Sequence, residues 1–215
     1  MNTRYTISTG SVAKAARRLL LEQPDMHENR HHAPMRAGPV VRAQGEKPAE
    51  IEMMRWGITL RWLPRPLITA RAETITEKPS CRGTFESSRC LVIAESFYEW
   101  HAGERGDEVT EYRLPYDEPM VFAGIWARLP QGKGGSTEGY AVLTTRANEM
   151  VRQGQERMPV ILRPADWHRW LAPTSNPKEL GYLLQPWTGT LTAHRTRLGR
   201  TLEEEAWHPR EGGMV

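Results

Sequence analysis

In the segment LVIAESFYEW, Glu99 stands between Tyr98 and Trp100 at the end of an apolar run. A carboxylate in that setting is exposed, paired with a cation, or kept for chemistry, because an unpaired charge is costly to take out of water. Which of these holds depends on what else in the chain shares a pocket with it.

Other constellations carry less. HENRHH places His27 and His31 at i, i+4 with His32 adjacent, a metal-binding spacing if helical. Pro34 and the polar surroundings argue for a loop with surface histidines, so no metal is expected and a metal-dependent hydrolase is a remote alternative. The two cysteines, Cys81 and Cys90, have neither metal-ligand spacing nor the pattern of a disulfide framework. Of eight tryptophans, Trp62 is set apart by its place in LRWLPRP, between arginines and prolines. Its ring can stack on a base or cap a core.

The elements that must position these residues are legible in outline. A chain of 215 residues, 39% hydrophobic and 26% charged, is long and apolar enough to bury a core. We expect one domain over residues 1–200 and a loosely ordered tail over 201–215. Net charge of +3 is too small to establish nucleic-acid binding alone. With no signal-type segment and no apolar run of membrane length, a reduced, cytoplasmic monomer is expected, with no membrane partner. Ser11 is placed to cap a helix whose apolar residues Val12, Ala15, Ala16 and Leu19 fall at helical spacing, with Pro24 beyond its end. VVRA, EIEMMRW, CLVIAESFYEW, PMVFAGIWARL, YAVLTT, PVIL and GTLTAHRTRL read as strands, and RPADWHRWL as a short helix. The pattern predicts an α+β fold: a curved, mostly antiparallel sheet or open barrel with a few flanking helices.

Six segments together (MNTRYTIS, RWG, PLITARAET, FYEW, VLTTRAN and QERMPVIL) resemble, in order and spacing, the SRAP family of SOS-response-associated peptidases. The resemblance runs from about Met1 to Arg200. It implies a β-rich α+β fold that binds single-stranded or junction DNA near abasic sites, with no cofactor. It also implies a chemistry. The family usually opens Met-Cys-Gly-Arg, and loss of the Met exposes a cysteine whose amine and thiol condense with the abasic aldehyde into a thiazolidine. An Asn in N-A-R, a Glu in F-x-E-W and a His two residues before R-x-P usually support that reaction, and the cysteine is thought to release its own leader residues.

This sequence departs at three of those four positions. Asn2 replaces the cysteine, Thr69 replaces the Asn in TAR, and Gln155 replaces the His in QERMP; Glu99 alone matches. The bulky Asn2 also leads us to expect that Met1 is retained. Arg4, Arg71 and Arg157, in MNTRYTIS, PLITARAET and QERMPVIL, match family positions on the DNA side of the pocket. Guanidinium groups stay charged and bind phosphate through paired N–H donors, although taken singly each also fits an ordinary surface or ion-paired arginine. The resemblance thus implies a DNA-binding protein whose crosslinking and autopeptidase chemistry is lost. Glu99 is then expected to be satisfied by Thr69, Arg71 or a backbone donor, or else to be an ion-paired residue of an edge strand. The alternative is an active enzyme in which the Met1 α-amine forms an imine with abasic DNA and Glu99 assists.

Overall fold

Twelve strands form in the computed structural model, which describes residues 4–26, 30–44, 47–60, 63–77, 79–103, 106–130 and 136–196. The first six are β1 (Tyr5–Ile7), β2 (Arg30–His32), β3 (Ala37–Gln44), β4 (Lys47–Trp56), β5 (Thr69–Arg71) and β6 (Arg89–Ala94). Then come β7 (Ser96–Gly103), β8 (Gly106–Arg113), β9 (Met120–Pro130), β10 (Ser136–Arg146), β11 (Arg157–Pro159) and β12 (Thr192–Thr196). The helices are α1 (Thr9–Leu19), α2 (Pro79–Ser87), α3 (Glu149–Arg152) and α4 (Trp167–Leu171).

One sheet closes on itself. β10 pairs antiparallel with β9 and meets β4 in parallel at Gly139↔Arg55 and Tyr140↔Trp56, completing a ring through β3 and β6. Beyond that seam β10 takes β5 on one edge and β11 on the other. Arg71 and Pro159 both register with Thr144, and Arg157 with Arg146. The second sheet runs β12-β8-β7-β1-β2. The apolar run CLVIAESFYEW, expected as one strand, divides at Glu95 into β6 of the ring and β7 of the second sheet.

A buried polar-aromatic cluster ties the two sheets. The Tyr5 hydroxyl hydrogen-bonds that of Tyr140, and His32 Nε2 lies 3.1 Å from the same Tyr140 oxygen. The His32 ring stacks on Trp56 at 5.9 Å, and Trp56 on Tyr140 at 6.4 Å. Burial pushes the His32 imidazole down to about 3, so it remains neutral. This corrects the loop expected at HENRHH: the segment enters strand β2, whose alternation sends neighbouring side chains to opposite faces. His31 instead approaches Thr6 and Tyr98 on the other face. His27 lies outside the described residues, among which no three His, Cys, Asp or Glu side chains could hold a metal ion.

Ser8, not Ser11, caps α1. Its side chain accepts from Ser11 N at 3.0 Å, while the Ser11 hydroxyl accepts from Ser8 N, a reciprocal capping box. The buried Arg89 guanidinium donates to Phe85 O, Glu86 O, Trp170 O and Ala172 O, satisfying carbonyls at the ends of α2 and α4. Among the described residues no helix is long and apolar enough to cross a membrane.

The seam predicts a sharp contrast between two glycines. A Cβ at Gly139 would lie 2.2 Å from Gly57 O, whereas one at Gly83 on α2 meets nothing within 4 Å. Gly139→Ala is expected to cost about 3 kcal/mol through overpacking, and Gly83→Ala to gain up to about 1 kcal/mol, as measured by denaturant unfolding.

Candidate functional site

Glu99 lies on β7, an interior strand flanked by β1 and β8, and therefore not at a sheet edge. Alternation puts Phe97, Glu99 and His101 on one face. Phe97 stacks on Tyr112 at 5.0 Å and meets Phe122 of β9 edge-on at 6.4 Å, so this face packs against the ring. Glu99 is 1% exposed, and neither carboxylate oxygen has a hydrogen-bond partner among the described residues. Among the described residues, neither Thr69, Arg71 nor a backbone group supplies the expected hydrogen bond, and none forms an ion pair with Glu99. Burial pushes the Glu99 carboxyl up to about 8, so it holds its proton at neutral pH.

Beside it, β5, β10 and the approach to β11 build a cavity of about 790 Å³. Thr69, Arg71, Thr144, Gln155 and Arg157 all line it. Four of these were singled out from two separate segments of the sequence; pairing on β10 brings them together. Gln155 Nε2 donates to Trp100 O at 2.5 Å, fastening the cavity wall to the residue after Glu99.

The two lining arginines are in different states. Arg157 donates to both carboxylate oxygens of Glu73, at 3.0 and 2.9 Å, and to Thr144 O and Oγ1. Burial works to raise the Glu73 carboxyl, but Arg157 and backbone donors outweigh it and hold the group below its ordinary value. Arg71 is exposed, with no ion pair among the described residues. Arg4 is half-buried and is not among the cavity's lining residues, but its carbonyl accepts from Tyr98 N at 3.2 Å, beside Glu99 on the neighbouring strand. Asn2 and Trp62 lie outside the described residues.

Sequence reasoning passed over Glu73, Thr144 and His101. Glu73 follows Arg71 by two positions in PLITARAET, and its only sequence signal was that proximity. His101 follows Glu99 at i+2, which the strand period places on the same face.

The sequence model of the SOS response associated peptidase (SRAP) family matches residues 1–198. This chain belongs to the SRAP family. Among its relatives, the abasic site processing protein YoqW of Bacillus subtilis is 35% identical over 144 residues, covering 62% of this chain and 63% of that protein. The abasic site processing protein YedK of Escherichia coli is 24% identical over 156 residues, 72% of this chain and 64% of that one. The chain thus spans about three fifths of the length of the curated relatives it matches. Solved structures share the fold: a Bacteroides thetaiotaomicron protein superposes with a TM-score of 0.78 at 24% identity, covering 91% of this chain and 92% of its own. A phage-related protein of Bordetella bronchiseptica does so with a TM-score of 0.70 at 19% identity, covering 91% and 93%.

The buried carboxyl of this SRAP-family chain gives a pH signature. An unfolded Glu titrates near 4.5 and Glu99 in the fold near 8. Between those values the folded state holds the extra proton, so stability falls as pH rises, and the fall levels off above the folded value. Relative to Glu99→Gln, the wild-type chain should lose up to about 1.4 kcal/mol per pH unit across that window in denaturant titrations. Parallel curves for the two proteins would contradict the assignment.

Proposed function

We propose that this chain binds single-stranded DNA, or the single strand at a junction, at abasic sites, without closing the family's thiazolidine ring. The observation that carries the reading is the cavity. Arg71 and Arg157 face it on either side of β10, and its Gln155 wall is bonded to the strand that carries Glu99. Paired guanidiniums beside a protonated acid suit a sugar without a base, flanked by phosphates. The relatives named as abasic site processing proteins support the same substrate class.

The reading without covalent closure rests on chemistry. Thiazolidine formation needs a thiol and an amine on one residue, and Asn2 supplies no thiol. Cys90 is buried, and burial raises its thiol well above the usual range. Cys81 lines the cavity at 6% exposure, but a thiol without an adjacent amine adds to an aldehyde only as a reversible hemithioacetal.

The two arginines divide the work. Arg71 is open to a phosphate, whereas an incoming phosphate must compete with Glu73 for Arg157, which also anchors β11 to Thr144. With Arg4 as the third cation, the log–log salt dependence of binding to a single strand should have a slope of roughly −2. Arg71→Ala should weaken binding of an abasic single-stranded oligonucleotide by about fivefold to tenfold and make the slope shallower by about 0.7. An unchanged affinity and slope in the triple Arg4, Arg71, Arg157 to Ala variant would overturn the reading. Borohydride treatment of the complex should trap no adduct; a trapped one would place imine chemistry here instead.

A further inference from the structure

We propose that His101 is a specificity-determining residue of this site, and that it acts with Glu99 as a donor–acceptor pair for the anomeric hydroxyl of an abasic sugar. This rests on the strand-binding function proposed above and deepens it. Three buried polar atoms stand on one face of β7 with no hydrogen-bond partner among the described residues: both Glu99 carboxyl oxygens and His101 Nδ1. Orphaned polar atoms are expensive in a folded core, and a cluster of them two residues apart is a demand for a ligand that both donates and accepts.

The surroundings fix what each atom offers. His101 Nε2 lies 3.4 Å from Thr110 Oγ1 and 3.9 Å from the Glu108 carboxylate, both on β8. We place the ring proton on Nε2, toward Thr110 and Glu108, which leaves Nδ1 as the acceptor. Glu108 is itself 3.6 Å from Arg195 of β12; the charge of Glu99 reaches Tyr112 of β8, and the chain's α-amino group acts on Glu99 in turn. The Glu99 carboxyl, protonated at neutral pH, is the donor. A hydroxyl accepts from Glu99 and donates to Nδ1 at once, and an abasic sugar in its closed form carries one where an intact nucleotide carries a base.

Two further features shape the pair. A Cβ at Gly154 would lie 2.9 Å from His101 Nδ1 and 3.2 Å from its Cγ, so the imidazole reaches this position only beside a glycine. The next residue, Gln155, lines the arginine cavity and donates to Trp100 O, between Glu99 and His101. The pair therefore sits directly behind the cavity wall.

The test compares one oligonucleotide carrying either an abasic site or its tetrahydrofuran analogue, which lacks the anomeric hydroxyl. Near pH 7 the wild-type chain should prefer the hydroxyl-bearing strand by about tenfold, the value of two net hydrogen bonds. That preference should fade above pH 8, as Glu99 ionises. His101→Phe, which keeps a ring but no nitrogen, should lower the ratio to about threefold, the value of the one hydrogen bond left. Gly154→Ala, which displaces the imidazole without altering it, should do the same. Equal affinity of the wild-type chain for both strands, or a preference undiminished in both variants, overturns the proposal. Failure to bind either strand overturns the strand-binding function and the hydroxyl pair with it.

Discussion

A carboxyl group held from water without a partner costs the fold free energy, and the arrangement of the second sheet is what sustains that cost at Glu99. β7 is gripped on both edges, by β1 and by β8, and its inward face is pinned through Phe97 to Tyr112 and Phe122. β1 in turn is locked to the ring by the Tyr5–Tyr140 hydroxyl pair and the stacked His32 and Trp56. The polar cluster in the core thus fixes the frame against which the Glu99 strand is registered. A looser frame would admit water and let the carboxyl ionise.

Charge is arranged around that neutral acid in layers. The two guanidiniums of the cavity stand across the Gln155 wall, one committed to Glu73 and one open. The charge of the chain's α-amino group works to lower the Glu99 carboxyl, and burial outweighs it. Keeping the guanidiniums one wall away preserves an acid in the interior and a cationic surface in the cavity. Where the resemblance implies an Asn and a His, Thr69 and Gln155 line the cavity beside Arg71 and Arg157.

Much of this was legible from periodicity. Apolar runs mark β6, β9 and β10 of the ring, and PMVFAGIWARL and YAVLTT become the antiparallel pair β9 and β10. The α+β class follows from those runs. The break at Glu95 was not legible, because an apolar stretch carries no mark of which sheet each half joins. Nor was β2: Arg30, His31 and His32 look polar, and only the tertiary stacking on Trp56 makes a strand of them. The site was legible in its parts. Family resemblance named Thr69, Arg71, Glu99, Gln155 and Arg157, and β10 explains why four of them share a cavity. Glu73 and His101 escaped because their roles come from pairings across strands, which spacing along the chain does not encode.

The account depends on an acid that stays protonated in the interior, one wall away from a cavity lined by arginines. Isotope-edited carboxyl NMR, with the Glu99 resonance assigned by its loss in Glu99→Gln, measures that state directly. A titration midpoint near 8 is expected for the free protein. A midpoint near 4, with Glu99 ionised throughout the neutral range, would contradict the account.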